Sequence, residues 1–159
     1  MDQGTTIMGI IIALICAIPI ILSILKSRKK KKKKLEVLQS IEHENSCRVT
    51  QYDLFSNSLI GIDTSALLLI LIKWEDNKPI IQKVNLKEIK SCLINNLSKP
   101  NQPLENIDLI LKYHDYNIKD TVLEFFSLKH DGLISSKEIK LAEKWCSIVN
   151  NRINVNAKK

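Results

Sequence analysis

The sequence predicts a single N-terminal transmembrane helix joined to a mainly β (α+β) soluble domain of six or seven antiparallel strands, capped by a C-terminal amphipathic helix. Three observations predict it. Residues 7–25 form a run of 19 without a charge. Residues 26–34 then carry eight basic side chains in nine positions. Beyond residue 48 the apolar residues recur with the period of strands, until the period becomes helical after residue 135.

The uncharged run spans roughly 28 Å as a helix, close to the ~30 Å of a bilayer's hydrocarbon core. Gly9, Pro19 and Ser23 interrupt its Ile- and Leu-rich composition, but membrane helices tolerate all three. Pro19 is expected to bend the helix because it removes one backbone hydrogen bond. A cleaved signal peptide would put its positive charge first and small residues after the apolar run. Here only Asp2 is charged before the run, and the lysines follow it. Cys16 has Ile15 before it, where a lipoprotein acylation site needs a small residue. By the positive-inside rule the N-terminus lies outside and everything after Lys26 is cytoplasmic. The Ile-, Lys- and Asn-rich composition is compatible with an AT-rich genome and a bacterial inner membrane.

The formal net charge of +7 resembles a nucleic-acid signal until it is located. Lys26, Arg28, Lys29, Lys30, Lys31, Lys32, Lys33 and Lys34 supply +8, so the rest of the chain sums to −1. A nucleic-acid-binding domain spreads its cations over a folded face, often with stacking aromatics, and no such face is expected. The eight basic residues are read as a membrane-surface segment that fixes topology and touches anionic headgroups, at roughly 1 kcal/mol each. Specific binding of an inositol lipid is compatible with the run but not required by it.

Leu35, Leu38 and Ile41 lie three apart, so the first helix is expected to continue until Asn45 and Ser46 stop it. The other reading of this stretch is a simple tether. Strands are expected over 48–55 and 59–63, with a turn at Ser56–Asn57–Ser58, then over 66–74 and 80–86 with a turn at 75–79. The nine residues 66–74 (ALLLILIKW) are too short to cross a bilayer and suit the heart of a core. Residues 88–94 read equally as strand or helical turn. Pro100 and Pro103 mark 95–105 as the longest loop. Residues 106–114 and 121–128 alternate and predict a hairpin, with Asp108 and Glu124 on the wet face. Ser135 and Glu138 form a capping box. Ile139, Ala142, Trp145, Cys146, Val149 and Ile153 then make a helical stripe over 136–153. The chain thus divides into the transmembrane helix 7–25, a polybasic segment and tether 26–47, and a β domain 48–154.

That element order, with Trp145 inside SSKEIKLAEKWCSIVNNRI, resembles the pleckstrin-homology-like superfold over about two thirds of the chain. The resemblance implies a partly open barrel closed by the helix. A generic sheet with one helix is the alternative. The superfold's headgroup site uses basic residues around the first strand pair, and the loop Ser56–Asn57–Ser58 has none. Its other common use is protein or peptide binding.

No catalytic constellation is expected. Residues 48–154 have only Gly61 and Gly132, so no phosphate-cradling loop is available. Neither a nucleophile elbow nor a His-Glu-x-x-His helix occurs. Cys16, Cys47, Cys92 and Cys146, with His43, His114 and His130, match no zinc template, and a reducing compartment disfavours disulfides. The expectation is therefore a non-enzyme without metal, cofactor, nucleic acid or small-molecule substrate. Two functions remain: a tethered module that binds a protein partner at the bilayer, or a sensor of anionic lipid surfaces.

Overall fold

The computed structural model describes residues 3–76, 78–96, 105–132 and 135–157; the side chains of 3–17, 20, 96 and 157 lie outside that description. The chain divides into two compact units, Met1–Asn45 and Ser46–Lys159.

The first unit is one helix, α1 (Gln3–Asn45), with Pro19 inside it. It continues through the lysine run to Asn45, whose side-chain amide donates to the Ile41 carbonyl at 2.7 Å. Ser46 then takes φ +48°, a left-handed conformation that ends the helix. Among the described residues no helix is long and apolar enough to cross a membrane. The structure therefore does not carry the transmembrane reading of 7–25, because most of that run's side chains lie outside the described residues. Its large apolar side chains that are described, Ile18, Ile21, Leu22, Ile24 and Leu25, all stand about half-exposed.

The second unit is mainly β: two antiparallel sheets of seven strands in all, and a C-terminal helix. Four strands form the first sheet in chain order: β1 (Gln51–Phe55), β2 (Ser58–Asp63), β3 (Leu68–Glu75) and β4 (Lys78–Asn85). Three form the second: β5 (Ile89–Asn96), β6 (Asn106–Tyr113) and β7 (Thr121–Ser127). A short helix α2 (Leu128–Asp131) and the long α3 (Ser136–Ala157) complete it. The turns are tighter than their sequences suggest. Ser56 and Asp76 adopt φ +40° and +48°, which leaves Ser58 and Pro79 inside strands.

Continuous apolar runs and alternating ones find different uses. Ile60, Ile62, Leu69 and Leu71 point into the domain core, while Leu59, Ile70 and Ile72 on the opposite face of the same strands are also wholly buried. That two-sided burial explains the unbroken apolar run of β3. Gly61 is required by close approach: a Cβ there would lie 2.8 Å from Val49 Cγ1. In the second sheet, Leu109, Leu111 and Leu123 face inward against α3, which buries Ala142, Trp145, Val149 and Ile153.

Two bulges interrupt the second sheet. One leaves Lys90 between the pairs Ile89–Tyr113 and Ser91–Lys112. The other leaves Phe125 between Phe126–Ile107 and Glu124–Asp108. The second lets consecutive phenylalanines both enter the core, which a regular strand forbids. Phe125 stacks on Phe55 of β1 with centroids 4.4 Å apart, and Phe126 lies 4.9 Å from Phe55, so an aromatic trio joins the two sheets.

Side chains of α3 fasten it to both sheets. Asp53 of β1 accepts from Trp145 Nε1 at 2.9 Å and from Lys144 Nζ at 2.6 Å. Asn150 brackets the β5 backbone at Cys92, accepting from its N–H at 2.8 Å and donating to its carbonyl at 2.9 Å. Cys146 adds a 3.2 Å contact to the same carbonyl. At the start of α3, Glu138 accepts from the Ser135 N–H at 2.9 Å and also bonds the Ser135 hydroxyl, while Ser135 Oγ accepts from the Lys137 N–H at 3.3 Å.

Candidate interaction face

The register of β5, β6 and β7 fixes which side chains share the face turned away from the core. Leu93, Ile110 and Val122 stand side by side across the three strands. Leu93 is 45% exposed and Val122 50%. One step along the strands in one direction lie Ser91 and Lys112; one step in the other lie Asn95, Asp108 and Glu124. An apolar row is thus flanked by an acidic row on one side and, on the other, by a mixed one in which Lys112 shares a hollow with Asp120.

The mixed end is a hollow of about 390 Å³, where Lys90 and Lys112 face Asp115 and Asp120, walled by Tyr116 and Ile118 of the β6–β7 loop. Lys90, pushed out by its bulge, donates to the Tyr116 hydroxyl at 2.9 Å and sits 5.1 Å from the ring centroid. That hydrogen bond, with the ammonium charge behind it, holds the Tyr116 phenol below its usual range. Asp115 shapes the loop by accepting from the Asn117 N–H at 2.9 Å.

The acidic end corrects one expectation. Asp108 is not a wet-face residue: it is 9% exposed. Burial, then the carboxylate of Glu124 directly opposite, push its pKa up, against the smaller opposing effect of Lys73. Lys73, reaching over from β3, is already ion-paired with Glu124. Alternation alone gave no sign of this, because the partner that covers Asp108 comes from the other sheet.

Beside Lys73 a second hollow of about 270 Å³ is lined by Asn57, Ser58, Trp74, His130 and Asp131 among others. Asp131 is occupied structurally, accepting from Ser56 Oγ at 2.7 Å and from the Ser127 N–H at 3.0 Å. Ser58 Oγ is buried and, among the described residues, has no hydrogen-bond partner. The polar rim therefore knits the β1–β2 turn to α2 and links the sheets through one ion pair.

The other residues singled out from sequence lie elsewhere. Lys26, Arg28 and Lys29 to Lys33 are exposed on α1, and Lys34 is half-buried there. Trp145 is wholly buried. Burial, then neighbouring Cys146, push the Cys92 thiol well above its ordinary value, so it is a poor nucleophile. Among the described residues no group of three His, Cys, Asp or Glu side chains converges as a metal site needs. No protein-family model matches this chain, and neither a curated protein nor a solved structure matches it significantly.

Proposed function

We propose that the chain is a single-pass, membrane-anchored, non-catalytic interaction module that holds a cytoplasmic pleckstrin-homology-like domain at the bilayer to bind a protein partner. The observation that carries this reading is the order of residues 7–34: an uncharged run of bilayer length, then eight cations. The half-exposed Ile18, Ile21, Leu22, Ile24 and Leu25 support it, because an apolar helix surface without protein cover suits lipid. The superfold assignment rests on the four-plus-three strand order and on Trp145 in the closing helix. A binding role rests on the exposed Leu93 and Val122.

The test is the accessibility of a cysteine placed near the C-terminus to a membrane-impermeant thiol reagent. Protection in intact cells until lysis is the expected result. Labelling before lysis overturns the topology, and extraction of the chain by alkaline carbonate overturns the anchor. The second reading, a sensor of anionic lipid surfaces, is favoured by the exposed cations Lys26 to Lys33. It requires the full chain to respond to phosphatidylserine content in the bilayer that holds it.

A further inference from the structure

We infer that Cys92 and Cys146 are a redox pair whose thiols join, on oxidation, in a disulfide that locks α3 onto β5. The inference goes beyond the interaction-module reading and does not depend on it.

Three observations pick out this pair. The first is contact between distant parts of the chain. Cys146 lies 54 positions after Cys92, yet its Sγ sits 3.2 Å from the Cys92 carbonyl oxygen, and the two thiol side chains are hydrogen-bonded to one another. The second is the support around them. Asn150, one turn further along α3, holds both the N–H and the carbonyl of Cys92 and comes within 3.6 Å of Cys146 Sγ. Strand and helix are thus pinned together at the residue that carries the partner thiol. A disulfide has a specific geometry and forms without backbone movement only where two cysteines already face each other. Here a turn of the Cys146 side chain, from the Cys92 carbonyl towards the Cys92 sulfur, is enough.

The third observation is asymmetry. Cys92 is wholly buried in the core, whereas Cys146 packs against that core and is only half-buried. A small oxidant reaches Cys146 first, which leaves Cys92 to resolve the intermediate. With a low-molecular-weight disulfide as the oxidant, the Cys146 thiolate attacks one of its sulfurs and the small S–S bond breaks. One small thiol leaves with the proton that Cys146 gave up, and the other half stays on Cys146 as a mixed disulfide. Cys92 Sγ then attacks Cys146 Sγ, and the second small thiol leaves with the Cys92 proton. Two protein thiols lose two electrons, and one small disulfide gains them. Burial makes Cys92 slow to give up its proton, but the sulfur that it attacks is held against it. In a reducing compartment the dithiol is the resting state, and the bond forms when small disulfides accumulate. The closed loop takes in β6, β7 and α2, and the bond adds a covalent tie where Asn150 supplies only hydrogen bonds.

The experiment uses the full chain in detergent micelles, with Cys16→Ser and Cys47→Ser to leave one pair of thiols. Intact mass, peptide mapping and melting temperature are read in excess oxidised glutathione. The folded chain is expected to lose two hydrogen atoms and to link the peptides that carry Cys92 and Cys146. Its Tm should rise by about 10 °C, because the closed loop is long, and dithiothreitol should reverse both changes. Adding Cys92→Ala should stop the reaction at glutathione held on Cys146, and adding Cys146→Ser should leave the folded chain without glutathione. The inference is overturned if both thiols stay free in the parent pair or if glutathione remains on its Cys146. It is equally overturned if the bond forms only after denaturant is added, or if it lowers the Tm.

Discussion

Each sheet buries one carboxylate, and the two are held in opposite ways. Asp63 closes β2 in the four-stranded sheet; Asp108 lies mid-strand in the three-stranded one. Both are nearly lost to solvent, at 3% and 9% exposure. Burial raises the pKa of Asp63, but N–H groups of Ala66, Arg48 and Ser65 at 2.9, 2.7 and 2.7 Å outweigh it and hold it below its ordinary value. Asp108 meets a carboxylate where Asp63 meets donors, and its pKa rises. Burial does not decide whether an acid strengthens a fold; the groups that face it do.

The contrast extends to the sheets themselves. The four-stranded sheet pairs without a bulge, and its middle strands are buried on both sides. The three-stranded sheet has two bulges, packs α3 on one face and leaves the other open. The largest effect should come from the side chain that ties the two sheets together. Trp145→Ala removes a wholly buried indole and its hydrogen bond to Asp53 of β1. It should cost about 3–5 kcal/mol in chemical denaturation. An unchanged melting temperature would place α3 outside the cooperative fold.

Next comes Asp63→Ala, which frees three backbone N–H groups from a charged acceptor and should cost about 2–3 kcal/mol at neutral pH. Its pH dependence has a definite sign. A depressed folded pKa gives stability that is present above the ordinary carboxylate range and lost as pH falls through the folded value. The deficit of Asp63→Ala relative to the parent chain should therefore shrink on acidification. A constant deficit down to pH 2 would show that the Asp63 charge is not what matters.

Asp108→Asn should act in the other direction. Removing like charges directly opposite one another stabilises by up to about 1 kcal/mol, less after solvent screening. A raised folded pKa means that protonation favours the folded state, so this gain should be present at neutral pH, shrink once pH falls below the folded value of Asp108 and vanish below the ordinary carboxylate range. A loss of stability at pH 7 would break the comparison between the two acids. Val122→Thr is the smallest effect. On an open face it should shift stability by less than about 0.5 kcal/mol.

What could be read from the sequence follows the same division. Where strands pair regularly, alternation and apolar runs located them: β2, β3, β6 and β7 lie within a residue or two of their expected positions. Residues 88–94 stayed undecided because the Lys90 bulge puts buried Ile89 and Cys92 three apart, the spacing of a helix. Phe125 and Phe126 hide their bulge in the same way. The 3₁₀ turn Leu86–Glu88 and the helix α2 are too short to leave a periodic signal. Of the loop expected over 95–105, residues 97–104 lie outside the described residues, and Asn95 and Asn96 belong to β5. The outer face of the second sheet was half legible: the alternation of β6 names Ile110 and Lys112. Their alignment with Leu93 and Val122 depends on a register that the bulges set.

Asn150 has a consequence of another kind. Its side-chain amide presents to Cys92 the same donor and acceptor pair that a neighbouring strand would offer. The outer rim of β5 is thereby occupied at its middle by a substitute peptide group. The far edge of the other sheet, β4, carries Lys78, Pro79 and Lys83, residues that discourage strand addition. Of the four sheet edges, β4 and the middle of β5 thus resist the addition of a strand from another chain. In that sense one asparagine on the closing helix works as protection against fibre growth, a duty separate from holding the helix in place.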